Sequence, residues 1–329
     1  MAKGTNQKRK LLYLAQIFSE ETDEDHGLTL AEIAQRLSRL DINAERKTLY
    51  QDFEELRRFG MDICTNQEGK SFRYFLGSRT FQLPELKLLV DAVQSSRFIT
   101  EQKSRELIKK LETLTSRSNA NQLQRQVLIA GRIKTMNESI YYNVDGLHTA
   151  IAKERQIQFR YFRWGPDKTM ILRHNGELYT VSPWHLCWDD ENYYLVAYDS
   201  ASGRIKHYRV DKMKSITITD LPRDGAETME HLDLTVYTRR LFGMFGGEPI
   251  RVTLEGDDDM INVLIDRFGD EIPLSRKDGD RVETRVDVAV SPQFLGWVAS
   301  FGGKLTVTSP PSVKEQMRTL ARKLSEQYE

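Results

Sequence analysis

The chain has 329 residues, enough for two or three domains, and 39% of them are apolar, enough for buried cores. Lysine plus arginine equals aspartate plus glutamate at 48 each, so binding to nucleic acid has to depend on local clusters of charge. Its two cysteines, Cys64 and Cys187, have no metal-site spacing. The polar start and the absence of a long apolar run predict neither a signal peptide nor a membrane span, so we expect a cytoplasmic multidomain protein.

The first 80 residues predict three short helices and then two strands. The second helix starts with a capping box, because the Thr29 hydroxyl and the Glu32 carboxylate can each bond a free backbone N–H there. Asn43 predicts the N-cap of the third helix, and Gly60, which tolerates a left-handed turn, predicts its end. A turn-rich tip joins the two strands. The order is typical of a winged helix-turn-helix.

The run Thr48-Leu49-Tyr50-Gln51-Asp52 in the third helix resembles the recognition helix of DeoR-type regulators. The resemblance implies that residues 1–80 bind double-stranded DNA with this helix in the major groove. We expect contacts with base edges from Ala44, Lys47, Thr48 and Gln51. We expect contacts with phosphates from Arg46, Tyr50, Arg57, Lys70 and Arg73. The alternative is that these polar side chains form a solvated helix face.

Residues 81–140 are predicted to form a helical linker. Apolar residues recur at helical spacing from Leu86 to Val93 and from Leu107 to Leu114, and Pro84 suits a first helical turn. An apolar face between two functional domains predicts a homodimer contact. Packing within the chain would give the same pattern.

Residues 141–222 begin with a short helix and continue as five or six short strands between close turns, which predicts a small barrel. A hairpin near its end, residues 192–213, resembles the WYL domain of bacterial transcriptional regulators. Tyr193-Tyr194-Leu195 stands where that family has Trp-Tyr-Leu, and Arg209 and Asp211 match the Arg and Asp of its next strand. The resemblance implies an SH3-like β-barrel that senses a ligand and in some regulators binds nucleic acid.

Alternation along the second arm of this hairpin places Lys206 and Tyr208 on one side and His207 and Arg209 on the other. Arginine forks hold phosphate oxygens, and tyrosines offer hydroxyls or a stacking face for a base. We therefore expect an anionic effector, either a nucleotide or a single-stranded oligonucleotide, to contact Tyr161, Arg163, His185, Tyr194, Lys206, His207 and Arg209. The competing interpretation is structural: Arg209 pairs with Asp211, and the tyrosines belong to the core.

The last third, residues 223–329, reads strand, helix, two strands, helix, strand and a final helix. This βαββαβ order predicts a ferredoxin-like α+β domain and resembles the WCX extension that often follows WYL domains. Its glycine-rich run, 243–247, lacks the Lys-Ser/Thr ending of a phosphate-binding loop. Its acidic run, 257–259, is explained by the start of a helix better than by a metal site. We expect no catalytic residue, no metal and no cofactor.

The sequence thus predicts a multidomain α+β protein that acts as a homodimeric transcriptional regulator. Its winged helix-turn-helix domain, residues 1–80 and called here the DNA reader, would bind a double-stranded operator. Its WYL domain would alter that binding when an effector is present. The alternative is a nucleic-acid-binding component of a phage-defence or DNA-damage-response system that binds single strands directly.

Overall fold

The chain divides into two compact units, residues 1–136 and 137–329. The computed structural model describes residues 9–123, 134–135, 137, 139–230, 232–277 and 279–329. Part of the linker predicted for residues 81–140 therefore lies outside the described residues. None of the helices in the described ranges is long and apolar enough to cross a membrane.

The first unit opens with three helices and a two-stranded hairpin around one core, in the predicted order. The helices are α1 (Lys10–Glu21), α2 (Leu30–Ser38) and α3 (Arg46–Arg58). The strands, β1 (Ile63–Glu68) and β2 (Ser71–Leu76), pair antiparallel. Phe18 of α1 and Phe53 of α3 pack edge to face in this core, with ring centroids 5.2 Å apart. After α3, Gly60 takes a φ of +104°, the left-handed turn expected of a glycine there.

The starts of the second and third helices differ in how well the sequence predicts them. The capping box of α2 is present, with Glu32 N–H donating to Thr29 Oγ1 at 3.3 Å and Thr29 N–H donating to the Glu32 carboxylate at 2.7 Å. The predicted N-cap at Asn43 was wrong, because α3 begins three residues later with Glu45 as its N-cap. Ile42 is buried in the core, and residues 42–45 have no regular structure before α3 begins.

Three more helices follow among the described residues of the first unit, α4 (Leu83–Ser95), α5 (Glu101–Glu112) and α6 (Arg117–Leu123). Leu86, Val90 and Leu123 form a small core among them. The hydroxyl of Ser116 accepts the Asn119 N–H at 3.1 Å and donates to the buried carboxylate of Asp23. This bond ties the start of α6 to the loop that follows α1.

The second unit begins with a helix and a curled sheet. Its elements are α7 (Ile140–Ala152), β3 (Arg155–Trp164), β4 (Met170–Leu172), a 3₁₀ turn (Arg173–Gly176), β5 (Tyr179–Asp189), β6 (Asn192–Asp199), β7 (Arg204–Arg209), a 3₁₀ turn (Val210–Lys212) and β8 (Met213–Pro222). The strand order is β4-β3-β5-β6-β7, and β8 pairs with β3. Because β3 bonds to three strands, the sheet curls into a half-barrel, with Phe159 buried inside it.

The C-terminal part is a four-stranded antiparallel sheet with helices. After α8 (Ala226–Met229) and α9 (Leu234–Arg240) come β9 (Pro249–Asp257), α10 (Met260–Phe268), β10 (Leu274–Lys277), β11 (Arg281–Ala289), α11 (Pro292–Ala299), β12 (Leu305–Ser309) and α12 (Pro311–Tyr328). The sheet order is β10-β11-β9-β12. The predicted βαββαβ order is present, with α12 added at the end. Alternate residues of β9, such as Val252 and Leu254, point into the core beneath α10 and α11.

The acidic run at the start of α10 carries ion pairs. Asp259 pairs with Lys304 at 2.5 Å, and Asp258 lies 3.9 Å from Arg276. Among the described residues, no group of three or more His, Cys, Asp or Glu side chains has the arrangement of a metal site.

Candidate functional site

The outer face of α3 presents the polar residues predicted to contact DNA bases. Lys47 and Gln51 are exposed on consecutive turns of the helix, as is Arg46 at its start. Thr48 is half-buried, and its hydroxyl donates to the Glu45 carbonyl at 2.8 Å, which occupies its proton within the first turn. Ala44 lies before the helix and packs against the core.

Two of the predicted phosphate contacts are engaged inside the unit. Arg57 donates through Nε to the Ile63 carbonyl at 2.9 Å and pairs with Glu54 at 2.5 Å. Arg73 pairs with Glu68 and donates through Nη1 to the Gly27 carbonyl at 2.8 Å. These bonds fasten the hairpin to α3 and to the loop before α2. The contacts favour a structural role for both arginines.

The remaining phosphate candidates lie together. Arg46, Tyr50 and Lys70 line a cavity of about 440 Å³ between α2, α3 and β2. Ser71 and Phe72 complete its wall on the β2 side, although the sequence analysis did not select them. The alternation of β2 could have identified Phe72, because Phe72 shares a face of the strand with Tyr74.

In the second unit, the register of β6 with β7 decides which hairpin side chains share a face. Tyr194 pairs with Arg209, Val196 with His207 and Ala197 with Lys206. Paired residues point to the same side of a sheet. Lys206 therefore lies on the opposite face from His207 and Arg209, as the alternation predicted. The seven predicted effector contacts do not form one site.

The face that carries His207 and Tyr194 is covered. The His207 ring stacks on Tyr237 of α9, and its Nε2 is 3.2 Å from the Tyr237 hydroxyl. Burial lowers the pKa of His207 to about 4, so the ring is neutral near pH 7. Tyr194 packs with Leu241 and Met244 in a small core. Both residues are packing elements between the hairpin and the C-terminal part.

Arg209 is held by neighbours on three sides. Its Nε and Nη2 each lie 3.0 Å from an oxygen of Asp211, and Nη2 donates to Asn192 at 2.7 Å. Its backbone N–H donates to the Tyr161 hydroxyl at 3.1 Å. The structural interpretation weighed for Arg209 matches this geometry, since two oxygens of one carboxylate fill the guanidinium fork.

The other face carries an exposed basic and aromatic group. Lys206 forms an ion pair with Asp199. Burial raises the pKa of the Tyr179 hydroxyl, and the charges of Arg173 and then Lys206 offset only part of this rise. The Arg173 guanidinium lies over the Tyr161 ring, 5.6 Å from its centroid. Arg173 and Tyr179 are functional candidates that sequence reasoning missed, because Arg173 lies in a turn with positive φ at His174 and Asn175.

The last two predicted contacts stand apart from both groups. Arg163 is exposed near the end of β3, opposite Ile171 of β4. His185 is half-buried at a bulge in β5, where burial and then the charge of Arg223 lower its pKa.

The half-barrel coincides with a known domain. Residues 143–218 match the family model of the WYL domain, and residues 248–325 match that of the WCX domain. The chain carries a WYL domain followed by a WCX domain. The Tyr193-Tyr194-Leu195 motif lies on β6 of the WYL domain, and the small core around Tyr194 includes Ala289 of the WCX domain.

Two solved structures align with this chain at low similarity. Proteasome accessory factor B/C (PafBC) of Arthrobacter aurescens aligns at 17% identity and a TM-score of 0.27, over 95% of this chain and 46% of that one. A CRISPR Cas-related protein aligns at 16% identity and a TM-score of 0.37, over 67% of this chain and 60% of that one. This chain is thus shorter than both. No curated protein matches it.

Proposed function

We propose that this chain is a homodimeric, cytoplasmic DNA-binding transcriptional regulator without catalytic activity or cofactor. Its first domain is a winged helix-turn-helix, its WYL domain is an SH3-like barrel, and its WCX domain is ferredoxin-like, as the strand order β10-β11-β9-β12 supports. The proposed boundaries are 1–80 for the DNA reader, 81–140 for the linker and dimer contact, 141–222 for the WYL domain and 223–329 for the WCX domain.

The observation that carries this proposal is the outer face of α3. Arg46, Lys47 and Gln51 are exposed there, and within the described part of the chain none of them pairs with a carboxylate. A glutamine amide suits the edge of adenine, and a lysine ammonium suits that of guanine.

Within the WYL domain, we propose that the effector contacts the face of Lys206, Tyr179 and Arg173. Arg173 is exposed at the rim, and Tyr179 is half-buried beside it. A cation next to an aromatic ring can hold a phosphate and stack a base, which fits a nucleotide or a single-stranded oligonucleotide. Tyr194, His207 and Arg209 hold the domain in shape instead of contacting the effector.

Regulation then requires that the effector bind one arrangement of the dimer better than another, because a ligand with equal affinity for both shifts nothing. The linker helices α4, α5 and α6 are the elements we propose to transmit the shift. They adjoin the DNA reader through the bond between Ser116 and Asp23.

The test is duplex binding by the purified full chain, at fixed salt, to DNA from its own upstream region, with and without a short single-stranded oligonucleotide or a nucleotide mixture. We expect the effector to change duplex affinity, and Lys206→Ala combined with Arg173→Ala to remove that change while leaving basal affinity intact. Arg163→Ala, an exposed arginine on β3, is the matched control. Duplex affinity that no effector changes would contradict the sensing half of the proposal.

The second candidate function is direct binding of single strands by a component of a phage-defence or DNA-damage-response system. The observation that favours it is the same pairing of Arg173 with aromatic rings, which needs no base sequence to bind a strand. In the assay above, tight binding of the single strand without preference for any duplex would support this candidate over the regulator.

A further inference from the structure

The side chains that line the cavity between α2, α3 and β2 are suited to binding one sugar-phosphate unit of the DNA backbone. Two of its lining side chains, Arg46 and Lys70, are cations, and within the described residues neither forms an ion pair. Phe72 contributes an apolar wall at the same place. Cations beside an apolar surface fit an anion attached to a carbon ring.

The start of α2 does not supply the anion site. Both the Thr29 N–H and the Thr29 hydroxyl donate to the Glu32 carboxylate, at 2.7 and 2.8 Å. The helix terminus is thus already satisfied by a negative charge, which would repel a phosphate placed against it. Any phosphate in the cavity has to lie on the α3 and β2 side.

A pair of tyrosines orients a donor on that side. The Tyr74 hydroxyl donates to the Tyr50 hydroxyl oxygen at 3.4 Å, and Arg46 Nη2 donates to the same oxygen at 3.4 Å. Burial raises the pKa of Tyr74 to about 12, so its hydroxyl carries the proton that this bond requires near neutral pH. A hydroxyl has two lone pairs and one proton. With both lone pairs of Tyr50 occupied, its own proton is left for an acceptor outside the protein.

Phe72 is placed to meet the sugar. Phe72 points to the same side of β2 as the buried Tyr74 and lies two residues nearer the hairpin tip. There 51% of its surface is exposed. A large apolar side chain left exposed beside two cations stabilises little in the isolated chain. Against a deoxyribose, the same ring would bury its surface.

We propose that this cavity binds one backbone phosphate and its deoxyribose, with the Tyr50 hydroxyl donating to a phosphate oxygen, Arg46 and Lys70 supplying charge, and Phe72 packing on the sugar. The proposal rests on the proposed DNA-binding function and extends it to Tyr74 and Phe72, which form a connected unit with Tyr50, a residue already expected to contact phosphate. It sets affinity and the position of α3, and it reads no sequence.

The test measures affinity of the full chain for a random-sequence duplex by fluorescence anisotropy over a range of salt. Tyr50→Phe removes only the hydroxyl, and we expect about a tenfold loss with an unchanged salt slope, because no charge is lost. Phe72→Ala should weaken binding about three- to tenfold, again with the slope unchanged. Lys70→Gln should reduce the slope of log affinity against log salt by about 0.9.

The controls make failures distinguishable. Tyr142→Phe and Phe59→Ala change side chains that are 74% and 84% exposed and lie outside the cavity, so both should bind as the unaltered chain does. If the unaltered chain binds the duplex and Tyr50→Phe and Phe72→Ala bind equally well, the cavity assignment alone is overturned. If the unaltered chain binds no duplex, the proposed function falls with it.

Discussion

At the scale of single residues, the number of partners of a charged side chain indicates how available it is to a ligand: Arg209 bonds two residues, whereas Lys206 forms one ion pair, with Asp199. Arg209 and Arg163 were both candidates for an anion, but Arg209 is forked onto Asp211 and Asn192, whereas Arg163 is exposed on β3. Removing a partly buried charged hydrogen-bonding group leaves its partners unsatisfied. The two arginines should therefore behave differently when mutated.

We expect Arg209→Ala to lower the free energy of unfolding by about 1–2 kcal/mol, since Asp211 and Asn192 lose their shared donor. Arg163→Ala should change it by less than about 0.5 kcal/mol, as for most exposed positions. Urea unfolding of the two variants beside the unaltered chain measures both values. A loss for Arg209→Ala that stays below about 0.5 kcal/mol would contradict a stabilising role for the Arg209 contacts.

His207 gives the chain a pH dependence. Its pKa is about 4 in the folded chain, below the usual 6.5, so protonation favours the unfolded state. The stability that depends on neutral His207 is complete above pH 6.5 and is lost as the pH falls towards 4.

We expect the free energy of unfolding to fall by about 1–2 kcal/mol more between pH 7.5 and pH 5 in the unaltered chain than in His207→Gln. Urea unfolding at the two pH values gives this difference and cancels the contribution of the carboxylates. His174→Gln, at an exposed position, is the control and should keep the full pH dependence. An unchanged pH dependence in His207→Gln would contradict the account of its burial.

At the scale of elements, local patterns predicted most of the fold. Capping chemistry located α2, and alternation placed Lys206 opposite His207 in β7. The start of α3 was mispredicted: capping propensity favoured Asn43, whereas Glu45, extended at φ −81° and ψ 150°, is the N-cap. Alternation also could not say which face of the hairpin is covered, because α9 and the residues that bury Tyr194 and His207 come some 30 to 95 positions later in the chain.

The contact between α6 and the loop after α1 gives an element-scale prediction. Burial raises the pKa of Asp23, but hydrogen bonds from Ser116 and His26 more than offset this and hold it below its usual value. Ser116→Ala removes one of those bonds and the cap of α6, so we expect a loss of about 1–3 kcal/mol in the free energy of unfolding.

Urea unfolding of the full chain measures this loss. Ser118→Ala is the matched control, because its exposed hydroxyl makes only a 3.3 Å contact with His26. If Ser116→Ala were as stable as Ser118→Ala, the bond to Asp23 would not join α6 to the DNA reader.

At the scale of the whole molecule, equal numbers of acidic and basic residues hide an uneven distribution. Within the described residues, Arg46 and Lys47 of α3 and Lys70 of the hairpin tip form no ion pair, while Arg57, Arg73 and Arg209 are paired within their own domains. The sequence identifies the charged residues, but it does not show which cations are paired, because pairing depends on contacts between distant positions. The unpaired cations on α3 are the reason that we assign the proposed DNA contact to this helix.

The most direct measurement is the preference of the purified chain for one duplex over random DNA. The unaltered chain would first select its best duplex from a random pool, and Lys47→Ala, Gln51→Ala and Arg58→Ala would then be compared on that duplex and on the pool at one salt concentration. We predict that Lys47→Ala and Gln51→Ala each reduce the preference about tenfold. Arg58→Ala, on the same helix but paired with Glu55, should leave it unchanged. Failure to enrich any duplex, or a preference that Lys47→Ala and Gln51→Ala leave intact, would contradict a sequence-reading role for α3.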